Sequence, residues 1–329
     1  LLKNMILSLR KPKMQHIEIQ AVKCCPGTAD AVVVTTPHSV HAEVCLAAFE
    51  RGIHVLNEKP MATSWEACQA LVQMAEAREV IFMALPYTMD NPILTAQSLL
   101  TEENLGKITG AEACLNIPGP VRANWYYKKA VAQGGAMLDC MIYPVSRLIH
   151  ILGGARYVTG FVNTLIPRRI VSGSQRVQSD VDDNVTLLIQ FESGQVAVVR
   201  TLWGTAFEED STTIYGRKGT IILPGDGRVI LQRRSSKWPQ IRPTVWRGWK
   251  GCEEMPSVTA TENIMEHFVR CLREGREPSC SGRRQLHIHE ILFKGYEAAR
   301  EGRTCALKTS FTPWHNLDPS LFDTSSSYV

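Results

Sequence analysis

The sequence predicts an α/β protein in two parts: a parallel-sheet domain, then an α+β domain with an antiparallel sheet. Three observations carry this reading. Residues 30–60, DAVVVTTPHSVHAEVCLAAFERGIHVLNEKP, have the form strand, turn, helix, strand. The alternation of apolar run and helical stripe then continues to Leu85. From Ile108 the pattern changes to longer, half-exposed strands separated by turn signals such as Glu192-Ser193-Gly194.

Ala31 to Val34 is an unbroken apolar run, as in a strand covered on both faces. Thr35-Thr36-Pro37 ends it. Val40, Val44, Ala47 and Ala48 recur at helical spacing, and Gly52 stands where a C-cap belongs. Ile53 to Leu56 makes the second strand, which runs out into Glu58-Lys59-Pro60. Thr63 with Glu66 reads as a capping box for a helix with Ala67, Ala70, Leu71 and Met74 on one face. Glu79 to Leu85 is a third strand, and Asn91 to Leu105 a helix closed by Gly106-Lys107. The boundary falls near Pro86 to Pro92, giving domains over residues 1–88 and 89–329.

The second domain opens with a strand from Ile108 and a loop rich in Pro, Gly and aromatic residues, Pro118 to Tyr127. A helix follows Gly134-Gly135 and ends at Leu152. Strands are predicted over Ala155 to Ile166, Asp183 to Glu192, Gln195 to Trp203, Ser211 to Tyr215 and Thr220 to Leu223. Residues 225–257 read as loop with one or two short strands, and Gly225-Asp226-Gly227 as a hairpin turn. Helices over Glu262 to Glu274 and Arg284 to Arg300 stop at Gly275 and Gly302, and the tail after Lys308 is expected to be weakly ordered. No internal repeat is visible.

A net charge of +4, with Lys and Arg scattered, asks for neither nucleic acid nor an acidic surface as partner. No run is long enough to span a membrane. The ten cysteines show no CxxC pair, which favours reduced thiols in a cytoplasmic protein. The opening LLKNMILSLRKPKM lacks a small-residue cleavage site and reads as an altered start. No G-x-G-x-x-G turn occurs in a strand–turn–helix context, so the first βαβ segment reads as incomplete.

Ligands of open parallel sheets bind beyond the strand ends, where TTPHSVH and NEKP fall side by side. Lys59 is the first catalytic candidate, since an ammonium there can stabilise a developing oxyanion. Asp139, Tyr143 and Arg147 recur at i, i+4 and i+8 and would share one helical face. The phenol could act as general acid or base if nearby cations depress its pKa. The same spacing equally describes an amphipathic helix with a salt-linked surface stripe. Pro144 bends or starts that helix rather than continuing it. His38 and His41 flank the first turn without further metal ligands in range, so no metal is expected. His287 and His289 point different ways and read as structural or solvated.

In collinear order, DAVVVTTPHSVHAE, GIHVLNEKP, the LGKI turn and GGAMLDCMIYPVSRLIHILG resemble the signatures of the Gfo/Idh/MocA family, which includes glucose–fructose oxidoreductase and inositol dehydrogenase. IYGRKGTI, REGREP and EAAREGRT extend the likeness over residues 29–308. The resemblance implies a Rossmann-type domain followed by an α+β domain with a large, mostly antiparallel sheet. It implies NAD or NADP as cofactor and a sugar, cyclitol or related polyol as substrate. It places Thr35, Thr36, Pro37, His38, His41, Glu58, Lys59 and Pro60 around the cofactor, with Lys59, Asp139 and Tyr143 doing or assisting the chemistry. Arg122, Trp125 and Arg147 are candidates for the sugar pocket. Most members carry His where this chain has Tyr143, and Met141 replaces the usual glycine. A homo-oligomer, dimer or tetramer, is implied through the sheet of the second domain. The competing readings are a non-catalytic sensor or scaffold and an NAD-dependent glycosidase. Lys23, if it follows the second strand of the cofactor fold, leans toward the 2′-phosphate of NADP.

Overall fold

A computed structural model describes residues 29–87, 90–121, 123–171, 173–233, 252–258, 260 and 262–312. Lys23, the adjacent Cys24 and Cys25, the strand expected over Ile17 to Val22, and Arg122 lie outside the described residues.

The first sheet has three parallel strands in the order β1 (Ala31–Val34), β2 (His54–Asn57) and β3 (Phe82–Ala84). Helix α1 (His41–Phe49) connects the first two, and Gly52 takes a left-handed φ of 69° just beyond it. Its buried face is His41, Cys45, Ala48 and Phe49, so of the expected stripe Val40, Val44, Ala47 and Ala48 only Ala48 is fully buried, because His41 faces inward. Helix α2 (Trp65–Ala77) is capped by Ser64, whose hydroxyl accepts from the Ala67 N–H at 3.1 Å. The cap is thus one residue later than the Thr63–Glu66 box predicts. Phe49 and Phe82 meet edge to face at 5.1 Å inside the layer between sheet and helices.

Helix α3 (Asn91–Ser98) is shorter than predicted, ending in turns before Leu105. The second sheet is then assembled from β4 (Ile108–Asn116), β5 (Ala155–Asn163), β8 (Asn184–Phe191), β9 (Val196–Leu202), β10 (Glu209–Gly216), β11 (Gly219–Leu223), β12 (Ile230–Arg233), β13 (Cys252–Glu254) and β14 (Cys305–Ala306). Its order is β13-β12-β11-β10-β4-β9-β8-β5-β14, antiparallel throughout except for the β4–β9 pair. A separate hairpin, β6 (Arg168–Val171) with β7 (Gln175–Gln178), was not foreseen; its short polar strands carry little periodicity. Strand β9 alternates exposed and buried residues, so the sheet has one covered face and one open face.

The helix expected from Gly134-Gly135 to Leu152 is two helices. A short turn α4 (Lys129–Ala132) precedes α5 (Ala136–Asp139), and α6 (Ile142–Leu152) starts anew after Cys140-Met141. Pro144 lies in the first turn of α6, where its missing N–H costs nothing. Asp139, Tyr143 and Arg147 therefore do not share one continuous helical face.

After the second sheet the chain returns to the first. Helix α7 (Ile264–Glu274) sets Phe268 against Ala31, Leu56 and Met83 on the sheet face opposite α1 and α2. Helix α8 (Gly282–Glu301) runs between the domains. His289 accepts the Met61 N–H at 2.8 Å in the first, and His287 accepts the Ala155 N–H at 2.9 Å in the second. Both rings are fully buried, so these histidines are structural and not solvated. Among the described residues no single helix is long and apolar enough to cross a membrane.

The segment after α8 is packed, not loose, as far as it is described. Buried Glu290 accepts the Lys308 N–H at 2.9 Å and the Thr309 N–H at 2.8 Å, and Phe311 is 5% exposed. Glu290→Ala would strip the acceptor from these donors, and we expect a loss of about 3 kcal/mol. Urea unfolding should show a lower midpoint with an unchanged slope; an unaltered midpoint would contradict this docking.

Candidate active site

The turn after β2 is held from three sides. Asn57 Nδ2 donates to the Met61 carbonyl at 2.9 Å, and Met61 N–H is taken by His289. The ring nitrogens of His41 lie 2.7 Å from the Pro60 carbonyl oxygen and 2.8 Å from that of Thr36. His41 thus ties the end of β1 to the lysine turn, whose Lys59–Pro60 bond is cis. Burial lowers the His41 pKa, and the two carbonyls oppose that fall.

Held this way, Lys59 reaches the second domain. Its Nζ forms a short ion pair with Asp139 Oδ1 and donates to the Asp139 carbonyl at 2.7 Å. The side chains are 14% and 9% exposed, so water screens the pair little. Burial pulls the ammonium's pKa down, but the charge and hydrogen bond of Asp139, with Tyr143 and Cys140 adding to them, together hold it above the ordinary lysine range. The Tyr143 ring sits 5.2 Å from Lys59 Nζ, and Tyr143 is the most exposed of the three at 36%. Burial raises the phenol's pKa and Lys59 only partly offsets this, so the expected depression by nearby cations does not prevail. Tyr143 keeps its proton at neutral pH and is a donor.

Asp139 is anchored at its other oxygen too. The Cys140 thiol donates to Oδ2 at 3.6 Å, and Trp203 Nε1–H donates to the Cys140 sulfur at 3.2 Å. Met141, fully buried at the break between α5 and α6, accepts a Thr201 hydroxyl contact at 3.8 Å. The two glycines ahead of α5 are explained by their neighbours. A Cβ on Gly135 would lie 1.9 Å from the Asp182 carbonyl oxygen, and one on Gly134 would lie 2.8 Å from the Tyr296 hydroxyl.

One wall of the site is aromatic. Trp125 and Tyr126 stack at 3.8 Å, and His38 meets Trp125 edge-on at 4.9 Å. His38 Nε2 is 4.0 Å from Asp139 Oδ1. Tyr126 was missed by sequence reading; the signal was its place beside Trp125 in the aromatic loop. Burial raises its pKa, and Asp139 adds to this. Arg147 does not join the group. Its guanidinium forms a short pair with Asp210 and donates to the Cys114 carbonyl at 3.4 Å. Glu58 accepts from the Lys59 N–H at 3.1 Å, while Thr35 is exposed at the strand end and Pro37 leads into the His38 turn. Among the described residues no group of His, Cys, Asp and Glu is arranged to hold a metal ion.

The molecule is therefore a two-domain α/β protein whose buried lysine–aspartate pair bridges the end of a parallel sheet and a mixed-sheet domain. Residues 15–85 match the family model of the oxidoreductase family with an NAD-binding Rossmann fold, and residues 93–222 match the GFO/IDH/MocA C-terminal domain. The chain belongs to the Gfo/Idh/MocA family of oxidoreductases. It is 31% identical over 256 residues to dTDP-3,4-didehydro-2,6-dideoxy-alpha-D-glucose 3-reductase of Streptomyces antibioticus, covering 75% of this chain and 70% of that protein. It is 25% identical over 298 residues to scyllo-inositol 2-dehydrogenase (NADP(+)) of Bacillus subtilis, covering 85% and 79%. Against levoglucosan dehydrogenase of Pseudarthrobacter phenanthrenivorans it is 26% identical over 61% of this chain, and the match spans 57% of that relative's length. A structure of levoglucosan dehydrogenase in complex with NADH and L-sorbose superposes with a TM-score of 0.75 at 19% identity, covering 89% of this chain and 83% of that one.

His38, His287 and His289 are buried, and burial lowers each pKa from 6.5 to about 4. The unfolded chain takes up these protons first, so their stabilisation is complete above pH 6.5 and is lost as pH falls toward 4. Unfolding free energies measured across this window should decline by a few kcal/mol. His289→Gln should flatten the slope by about one proton. A slope that His289→Gln leaves unaltered would contradict a buried neutral ring.

Proposed function

We propose that the protein is an NAD(P)-dependent oxidoreductase acting on a sugar, cyclitol or related polyol. The observation that supports this most is the Lys59–Asp139 pair with Tyr143 beside it, set at the strand ends of a sheet in this oxidoreductase family. Relatives named as sugar reductases and an inositol dehydrogenase point to the same substrate class. The residues present fit a dinucleotide laid over the strand ends: Thr36 Oγ1 is buried there without a hydrogen-bond partner among the described residues. Thr35, Thr36, Pro37, His38 and Glu58 would hold it, and the buried His41 and Pro60 would shape the turns behind it.

When bound, the nicotinamide supplies or accepts a hydride at the substrate carbon. The chain's own residues manage the proton and the charge. In reduction, the Tyr143 hydroxyl gives its proton to the substrate oxygen as the C–O double bond becomes single. Lys59 stabilises the negative charge developing on that oxygen and on the phenolate left behind. Asp139 keeps Lys59 charged and aimed, and the stacked Trp125 and Tyr126 offer an apolar face to sugar C–H bonds. Oxidation runs the same transfers backward. We further propose a homo-oligomer built on the open face of the large sheet, where Leu188, Val196, Val198 and Tyr215 are exposed. A monomeric mass by light scattering would refute that part.

Nicotinamide fluorescence on titration with NADH and NADPH should show saturable binding to one or both. With a turned-over sugar or cyclitol in hand, Lys59→Ala and Tyr143→Phe should each lower kcat by roughly 10²-fold or more. Unchanged turnover in both variants would remove these residues from the chemistry. Absence of any dinucleotide binding would favour a non-catalytic sensor.

A further inference from the structure

The two halves of the ion pair come from different domains, yet one helix contacts the turns that carry both. His289 and Tyr296 stand seven residues apart on α8, two turns along the same face. His289 accepts the Met61 N–H, two residues from Lys59, while its Nδ1–H donates to the Gln285 carbonyl at 2.8 Å. Tyr296 donates its hydroxyl to Asp182 Oδ1 at 2.6 Å. That carboxylate in turn accepts the Gly135 N–H at 2.9 Å and the Met137 N–H at 2.7 Å, and the Asp182 carbonyl takes the Ala136 N–H at 2.9 Å. The first three N–H groups of the α5 turn are thereby fixed from outside. The Gly135 carbonyl accepts the Asp139 N–H at 3.0 Å, so the catalytic carboxylate sits one hydrogen bond from the clasp.

We propose that α8 is the frame that registers Lys59 against Asp139. His289 is a positioning residue for the lysine turn. Tyr296 and Asp182 form a clasp that positions the aspartate turn. The inference rests on the site reading above and adds residues that lie outside the reacting groups. It also accounts for the paired glycines. Side chains at positions 134 and 135 would push the α5 turn off Tyr296 and Asp182.

The charge state of Lys59 reports on the register without needing turnover. The groups that bear on it are Asp139, Tyr143 and Cys140, with His38, His41, Glu58 and Tyr126 around them. Loosening Asp139 leaves burial to dominate, so the Lys59 pKa falls and more free amine is present at a given pH. Trace acetylation of the full chain over a pH series, with the Lys59 peptide quantified by mass spectrometry, measures this. Tyr296→Phe and Asp182→Asn should raise Lys59 labelling near pH 8.5 by about 3- to 10-fold. His289→Gln should act in the same direction. Glu290→Ala, on the same helix but turned to the 308–309 segment, should lower the melting temperature without moving the Lys59 profile. The proposal is overturned if Tyr296→Phe leaves the profile on the wild-type curve, or if Glu290→Ala shifts it equally. Should Asp182→Asn fail to fold, Tyr296→Phe, which removes one hydroxyl, decides alone. A wild-type chain without turnover would sink the enzymatic reading while this labelling still judged the frame.

Discussion

A buried ammonium facing a buried carboxylate is the constraint on which the rest of this structure depends. Each charge alone would lose several kcal/mol of hydration on entering the interior, so neither half is stable there without the other. Lys59 belongs to the end of a parallel strand and Asp139 to a four-residue helix in the next domain. Their mutual need therefore fixes how the two domains meet. The Cys140 thiol and the Asp139 carbonyl complete the hydrogen bonding around the pair. Satisfied in this way, the charges rigidify the junction instead of destabilising it.

The surroundings follow from that demand. Backbone turns that present charges to a low-dielectric junction need their own polar groups satisfied. Asn57, His41 and His289 do this for the lysine turn, and Asp182 does it for the aspartate turn. All are buried, and His287 and His289, whose pKa values burial lowers, are neutral rings that accept backbone N–H groups. Tyr143 is left as the exposed member, where a substrate oxygen can reach it. Its retained proton and the fixed cation beside it are what the proposed proton transfer to a substrate oxygen requires.

Much of this was legible in sequence because it is local. The apolar run Ala31 to Val34, the Gly52 turn and the Glu58-Lys59-Pro60 exit needed only periodicity and turn chemistry. Strands β4, β8, β9, β10 and β11 of the second domain were found within one or two residues for the same reason. What was missed depends on contacts distant in sequence. The hold of Asp182 on the first turn of α5 comes from more than forty residues on, and no helical pattern announces it. Arg147 lies at the predicted spacing but pairs with Asp210 on β10, so tertiary pairing and not helical spacing sets where its guanidinium points. The burial of His287 and His289 and the docking of Phe311 likewise come from packing, not from local composition.

The most direct test of the Lys59–Asp139 constraint is a double-mutant cycle on unfolding free energy with Lys59→Met, Asp139→Leu and the pair. Each single change leaves a buried charge without its partner and should cost about 3–5 kcal/mol, whereas the double variant should be less destabilised than the sum by about 2 kcal/mol or more. Additivity within about 0.5 kcal/mol would mean that the two groups do not depend on one another, and would contradict the account.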